Sequence, residues 1–195
     1  SSDLRCFAHF LERHWRTASS RGAEFSAFID DHRWWLEDYA LFRALRTHYD
    51  NAPWTKWPAP LATRDARALD AARAQLSEEL LYRQYLQWIA DTQWRAARKT
   101  AEGVALFGDL PFMVCTDSAD VWARQDEFRM DASVGVPPDA FSATGQDWGL
   151  PVYRWDVIGE RGFDWLRARG RRNAELYDGY RDRKSTRLNS SHVSE

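Results

Sequence analysis

The chain has 195 residues, 44% hydrophobic and 29% charged, with a formal net charge of −2, the composition of one soluble globular domain. The near-neutral balance lacks the concentrated Lys and Arg needed to displace counterions from a polyanion, so no nucleic-acid partner is expected. No apolar run approaches the ~18 residues of a membrane span, and the N-terminus shows no basic region followed by an apolar one, so no membrane partner is expected and the expected location is cytoplasmic.

In chain order, residues 6–16 place Phe7, Phe10, Leu11 and Trp15 close to the helical repeat. Residues 32–47 put Trp35, Leu36, Tyr39, Phe42 and Leu45 on one wide face, which predicts a well-buried helix; Glu37 and Asp38 are expected to be solvated or to pair with Arg33 and Arg46. Residues 51–60 hold three prolines with Trp54 and Trp57, predicting a loop with apolar anchors. The Ala-rich residues 64–75 predict a helix on propensity. Ser77 is expected to cap the next helix, with Glu78 and Glu79 near its positive end. Leu81, Tyr85, Trp88, Ile89 and Thr92 then keep one buried face, and Gly103 suits a left-handed C-cap.

Val104 to Phe107 is continuously apolar and predicts a strand buried on both faces. A long helix, a Gly, a short apolar strand and then an acid, Asp109, is the grammar of an α/β protein with a parallel sheet. Ligands of such proteins sit beyond the carboxyl ends of the strands. There the stretch 103–155 continues with little periodicity. A connection that long is a functional lid, a binding loop or disordered; Trp122, Phe128, Phe141, Trp148 and Trp155 argue against disorder. Residues 163–177 predict a basic amphipathic helix with Arg167, Arg169, Arg171 and Arg172 solvated. Tyr180 and Arg181 look like the start of a strand that the polar, Ser-rich residues 182–195 do not continue; those residues are expected to be disordered.

No nucleotide-binding, triad or zinc-protease motif is present. Cys6 and Cys115 lack metal-ligand or redox spacing and are expected to be reduced, buried and inert. His9, His14, His32 and His48 lie far from the long stretch and read as surface or core residues. What the stretch offers is carboxylates: Asp109, Asp117, Asp120, Asp139 and Asp147. Any one of them could be a loop cap. Together with aromatic rings on an α/β scaffold they suit glycoside chemistry, in which acids flank the bond and rings stack on sugar faces.

The segments GDLPFMV, DSADVW, GVPPDAFSATGQDWGLPVYRWD, WLEDYALF and YLQWIADTQW, between about Phe7 and Arg181, resemble the 4-α-glucanotransferases, or amylomaltases, of glycoside hydrolase family 77. The resemblance implies a helix-rich α/β fold, an incomplete (β/α)8 TIM barrel with inserted helical subdomain segments. It implies an α-1,4-glucan or maltooligosaccharide substrate, cleaved by retaining double displacement and passed to the 4-hydroxyl of an acceptor sugar, with no metal or organic cofactor. By resemblance Asp117 lies near the sugar subsites and Trp122 supports its loop. Residues 137–153 form a mobile loop over the glucan, with Phe141, Ser142, Gln146 and Trp148 as its expected contacts and Tyr153 also counted as substrate-binding. The sequence carries no signal of oligomeric state.

In this family the nucleophile sits in an Arg-x-Asp-His motif, and Arg181 is that Arg; Arg183 and Lys184 stand where Asp and His belong. Asp182 lies one position early, on the opposite face of a strand. The acid/base Glu and the second Asp fall later in the family. The expectation is therefore a partial catalytic domain over residues 1–181, a foreign tail over 182–195, and no catalytic residue in the chain. The alternatives are a non-catalytic α-glucan-binding module and, less favoured, a nucleic-acid or partner-helix binder using the Arg-rich helix.

Overall fold

The computed structural model describes residues 2–101, 103–138 and 143–183, without the side chains of Asp182 and Arg183. The chain forms two compact units, Ser1–Ala96 and Ala97–Glu195.

The first unit is helical: α1 (Ser2–Phe10), a π-helical turn (Leu11–Trp15), α2 (Ser20–Asp31), α3 (Arg33–His48), α4 (Ala59–Ala62), α5 (Ala66–Gln75) and α6 (Ser77–Thr100), which runs on into the second unit. Spacings of three residues aim Phe7 and Phe10, Phe25 and Phe28, and Tyr82, Tyr85 and Trp88 at one core that also takes Leu36. Fully burying a side chain of this kind stabilises by about 1.5–3 kcal/mol. Local caps set the boundaries: Ser19 accepts from the Gly22 N–H and Asp65 from the Ala68 N–H. The Pro-rich segment after α3 is anchored as expected, with Trp54 and Trp57 buried and the Trp57 Nε1–H donating to the Ala52 carbonyl at 3.1 Å.

Three expectations for this unit are corrected. Asp38 pairs with Arg64 and Glu37 with Arg73, while Arg33 pairs with Asp30; Arg73 on α5, which packs on α3, and Arg64 in the turn that precedes α5 supply nearer partners than α3 itself. Ser77 is inside α6, whose first turn closes on the Leu76 carbonyl through the Leu80 N–H. Cys6 is exposed because it lies off the Phe7–Phe10 stripe of α1, and Cys115 is exposed in the irregular segment before α7 of the second unit.

The second unit contains β1 (Phe107–Pro111), α7 (Ala119–Ala123), β2 (Phe128–Val136), β3 (Gln146–Tyr153), α8 (Trp155–Glu160), α9 (Asp164–Leu176) and β4 (Gly179–Arg183). β1 and β4 pair in parallel, Phe107 opposite Gly179 through Pro111 opposite Arg183, and β2 and β3 pair antiparallel. The unit is thus α/β, and the parallel pair is the part that bears on the barrel expectation. Asp178 fixes its start: its carboxylate accepts from the Leu106 N–H at 2.8 Å while its own N–H donates to the Leu106 carbonyl at 2.9 Å. Arg98 adds a 2.7 Å ion pair to the same carboxylate.

Here too the structure corrects the sequence reading. The strand begins at Phe107, three residues late, and Val104 and Phe107 are 64% and 77% exposed. An apolar run marks a doubly covered strand only where both faces have neighbours, and among the described residues β1 has one partner strand. The strand begun by Tyr180 does continue: Asp182 and Arg183 extend the β4 backbone, so the disorder expected from residue 182 fails at those two positions, and residues 184–195 lie outside the described ones. The irregular stretch contains an antiparallel strand pair, β2 and β3. It escaped notice because register shifts between Arg129 and Ser133 and between Val134 and Gly135 break the alternation of its strands. Among the described residues no helix is long and apolar enough to cross a membrane.

Candidate functional site

The site grows from the carboxyl end of β1. Past Pro111, the Phe112 carbonyl accepts hydrogen bonds from the Tyr153 hydroxyl and from Arg169 Nη1 at 3.4 Å, and Arg169 Nη2 reaches the Pro111 carbonyl at 2.5 Å. Arg169 also lies 4.9 Å over the Trp165 ring. It is therefore a rivet between α9 and β1, not the solvated residue expected from helical periodicity. Tyr153 is 3% exposed, and burial, partly opposed by Arg169, pushes its phenol up to about 12. Burial also raises Asp120, against the pull of Arg169 and Arg124.

The DSADVW segment turns at Ser118, whose hydroxyl accepts from the Val121 N–H and caps the short α7. That geometry buries Val121 and Trp122 completely and leaves Asp117 half-buried on the turn. Thr116 links this turn to the hairpin by donating to the Gly149 carbonyl at 3.2 Å.

The hairpin is held at its root by a ring cluster and a charge cluster. Phe128 and Tyr153 face each other across the strands with centroids 5.0 Å apart, and Trp165 meets Phe128 at 5.9 Å. Beside them Glu127, 2% exposed, accepts from Arg161 at 2.8 Å and Arg124 at 3.3 Å. Arg161 also engages Asp126, whose carboxyl it holds below the usual range. At the far end, Gly135 lets the strands close: a Cβ there would lie 2.1 Å from the Gln146 carbonyl oxygen. Asp147 accepts from the Ser133 hydroxyl and the Gly149 N–H, which lower its carboxyl from the usual range. The Trp148 Nε1–H donates to Gln146 Oε1 at 3.1 Å.

Of the residues singled out in the sequence, Gln146 is exposed, Trp148 and Asp117 are half-buried, and Trp122 and Tyr153 are inside; Phe141, Ser142 and Asp139 lie outside the described residues. Arg181 is exposed and forms a bidentate pair with Asp109 at 3.1 and 3.3 Å, its register partner across the parallel strands. Asp109 and Asp147 are thus both engaged in holding other groups. What the hairpin end presents is an indole beside an amide, a combination suited to the apolar face and hydroxyl rim of a sugar. Sequence reasoning missed Glu127 and Arg161. Nothing in the run QDEF separates a buried glutamate from a solvated one, since the partner arrives from 34 residues away.

The family described as 4-alpha-glucanotransferase, glycoside hydrolase family 77, matches residues 4–182. The chain is 45% identical to the 4-alpha-glucanotransferase of Thermus thermophilus over 152 residues, 73% of this chain and 30% of the relative. It is 41% identical to that of a Synechocystis strain over 164 residues, 80% of this chain and 32% of the relative. Among solved structures it resembles an amylomaltase from Streptococcus agalactiae in complex with acarbose, with a TM-score of 0.79 and 31% identity, over 86% of this chain and 36% of that one. The chain spans about a third of the length of the curated relatives it matches.

Proposed function

Because the chain belongs to the 4-α-glucanotransferase family of glycoside hydrolase family 77, we propose that it is the glucan-gripping part of such an enzyme. It holds an α-1,4-glucan, a maltooligosaccharide, against the exposed end of the β2–β3 hairpin. Trp148 offers a ring face, Gln146 offers its amide, and Asp117 offers an acceptor from the neighbouring turn. The observation that carries the reading is the hairpin itself. The family-specific block GVPPDAFSATGQDWGLP runs from the end of its first strand into its second, and its root is tied to the carboxyl end of β1, where α/β proteins bind ligands. Trp122 and Tyr153 serve the site from inside by fixing the turn and the hairpin root.

On this reading residues 1–181 are a partial catalytic domain, a piece of an incomplete (β/α)8 barrel with helical segments inserted. The parallel β1–β4 pair supports it, and so does the likeness to the amylomaltase structure. The whole enzyme would transfer a glucan segment to an acceptor 4-hydroxyl by retaining double displacement, which needs a carboxylate nucleophile and a carboxyl acid/base. With Arg183 and Lys184 where the resemblance requires Asp and His, the chain as it stands carries out no transfer, because the covalent path has no nucleophile.

Two measurements test this. Incubation with maltotriose should give no glucose or longer maltooligosaccharides above a protein-free control; clear release would overturn the inactivity. Titration with maltoheptaose should change tryptophan fluorescence saturably, and Trp148→Ala should weaken binding about 3- to 10-fold, as expected for loss of one aromatic contact. An unsaturable response, or one equal in the variant, would refute the gripping role of the hairpin.

A further inference from the structure

The helical unit contains a groove of about 570 Å³ that the glucan reading does not use. Its walls come from α1, the π-helical turn and α2, and its floor from Phe10 of α1 and Tyr85 of α6. Arg5 and His9 stand one helical turn apart on α1, His14 on the π-helical turn, and Arg21 on α2, above a floor of Phe10 and Tyr85. No carboxylate is among the lining residues. Among the described residues, neither Arg5 nor Arg21 takes part in an ion pair. Two of the cationic groups are held in place: Arg21 lies 5.2 Å over the Trp88 ring, and His14 shares a 3.1 Å hydrogen bond with the Ser19 hydroxyl through Nδ1. The Tyr85 phenol is raised by burial, with Cys6 adding to the shift and Arg21 opposing it, so the hydroxyl stays a donor.

Two guanidinium forks and a phenol, with the His9 and His14 imidazoles beside them, surround one hollow that holds no carboxylate. Guanidinium groups match the oxygens of a phosphate in bidentate fashion. The volume lies within the range of small-molecule sites and exceeds what a bare inorganic ion fills. We propose that this groove binds a small organic phosphate monoester. Arg5 and Arg21 grip the phosphate, and the carbon body rests on Phe10 and Tyr85. The groove shares no lining residue with the hairpin.

Titration of the chain with glucose 1-phosphate, followed by calorimetry and by tryptophan fluorescence, should be saturable, with inorganic phosphate weaker and maltose inert at this groove. Arg5→Gln and Arg21→Gln should each weaken binding about 10-fold or more, as loss of a charge-assisted pair implies. Arg5 packs on no aromatic ring among the described residues, so Arg5→Gln should keep its circular dichroism and carries the test if Arg21→Gln unfolds. Trp148→Ala should leave phosphate binding intact, which separates this site from the glucan site. Absence of a saturable response, equal affinity for inorganic phosphate and the monoester, or unchanged affinity in a folded Arg5→Gln would overturn the proposal.

Discussion

Removing the carboxylate of Glu127 should loosen the root of the hairpin. Glu127 is 2% exposed and accepts from Arg161 at 2.8 Å and from Arg124 at 3.3 Å. Deleting one partner of a fully buried ion pair costs about 3–5 kcal/mol. That range is an upper bound here, because the Arg124 and Arg161 side chains are 31% and 48% exposed and can recover water, and Arg161 keeps Asp126. Glu127→Ala is therefore expected to destabilise by about 2–3 kcal/mol, equivalent to roughly 4–12 °C in Tm for a chain of this size. Glu127→Gln retains an acceptor and should cost about 1–2 kcal/mol. Urea denaturation followed by both tryptophan fluorescence and circular dichroism measures the loss, provided the slope with denaturant is unchanged. If Glu127→Ala stays within about 0.5 kcal/mol of the parent, the range of an ordinary surface substitution, the charge cluster does not hold the hairpin and the reasoning fails.

Two glycines should respond oppositely to alanine. Gly135→Ala would place a Cβ 2.1 Å from the Gln146 backbone oxygen, so the strands must part and stability should fall by about 1–3 kcal/mol. Gly159→Ala, in α8 with its nearest neighbour at 3.8 Å, should be neutral or stabilise by up to about 1 kcal/mol; chemical denaturation of both variants decides. Tyr153 makes stability fall at alkaline pH. Its folded value of about 12 exceeds the ordinary 10, so its contribution is complete below pH 10. It is lost between pH 10 and 12, where the unfolded chain ionises first, amounting to about 2–3 kcal/mol in all. Tyr153→Phe should flatten that part of the stability–pH curve, and an unchanged slope would show that Tyr153 is not the group responsible.

The sequence by itself determined the longest helices of the first unit, though not α2, because a helix has to bury one stripe, and a stripe recurs at a spacing that is visible in one dimension. Residues 32–47 and 81–92 show this, as does the aromatic pair Phe7 and Phe10. It also determined the family, since the block from Gly135 to Trp155 is specific at the level of residue identity. The sequence left open what lies opposite what. Val104 and Phe107 are as apolar as any buried strand, yet they stand in solvent because coverage is a property of neighbours. Arg169 reads as a surface charge and Glu127 carries no signal at all; they become a rivet and a buried anchor only when residues 57 and 34 positions away fold against them. Asp109 stands out by composition as an acid after a strand, and the resemblance gives it a supporting role; its partner, Arg181, is set beside it only by the parallel register. Periodicity records how much of a residue is covered, whereas partner choice depends on contacts between elements far apart in the chain. Only the tertiary structure decides those contacts.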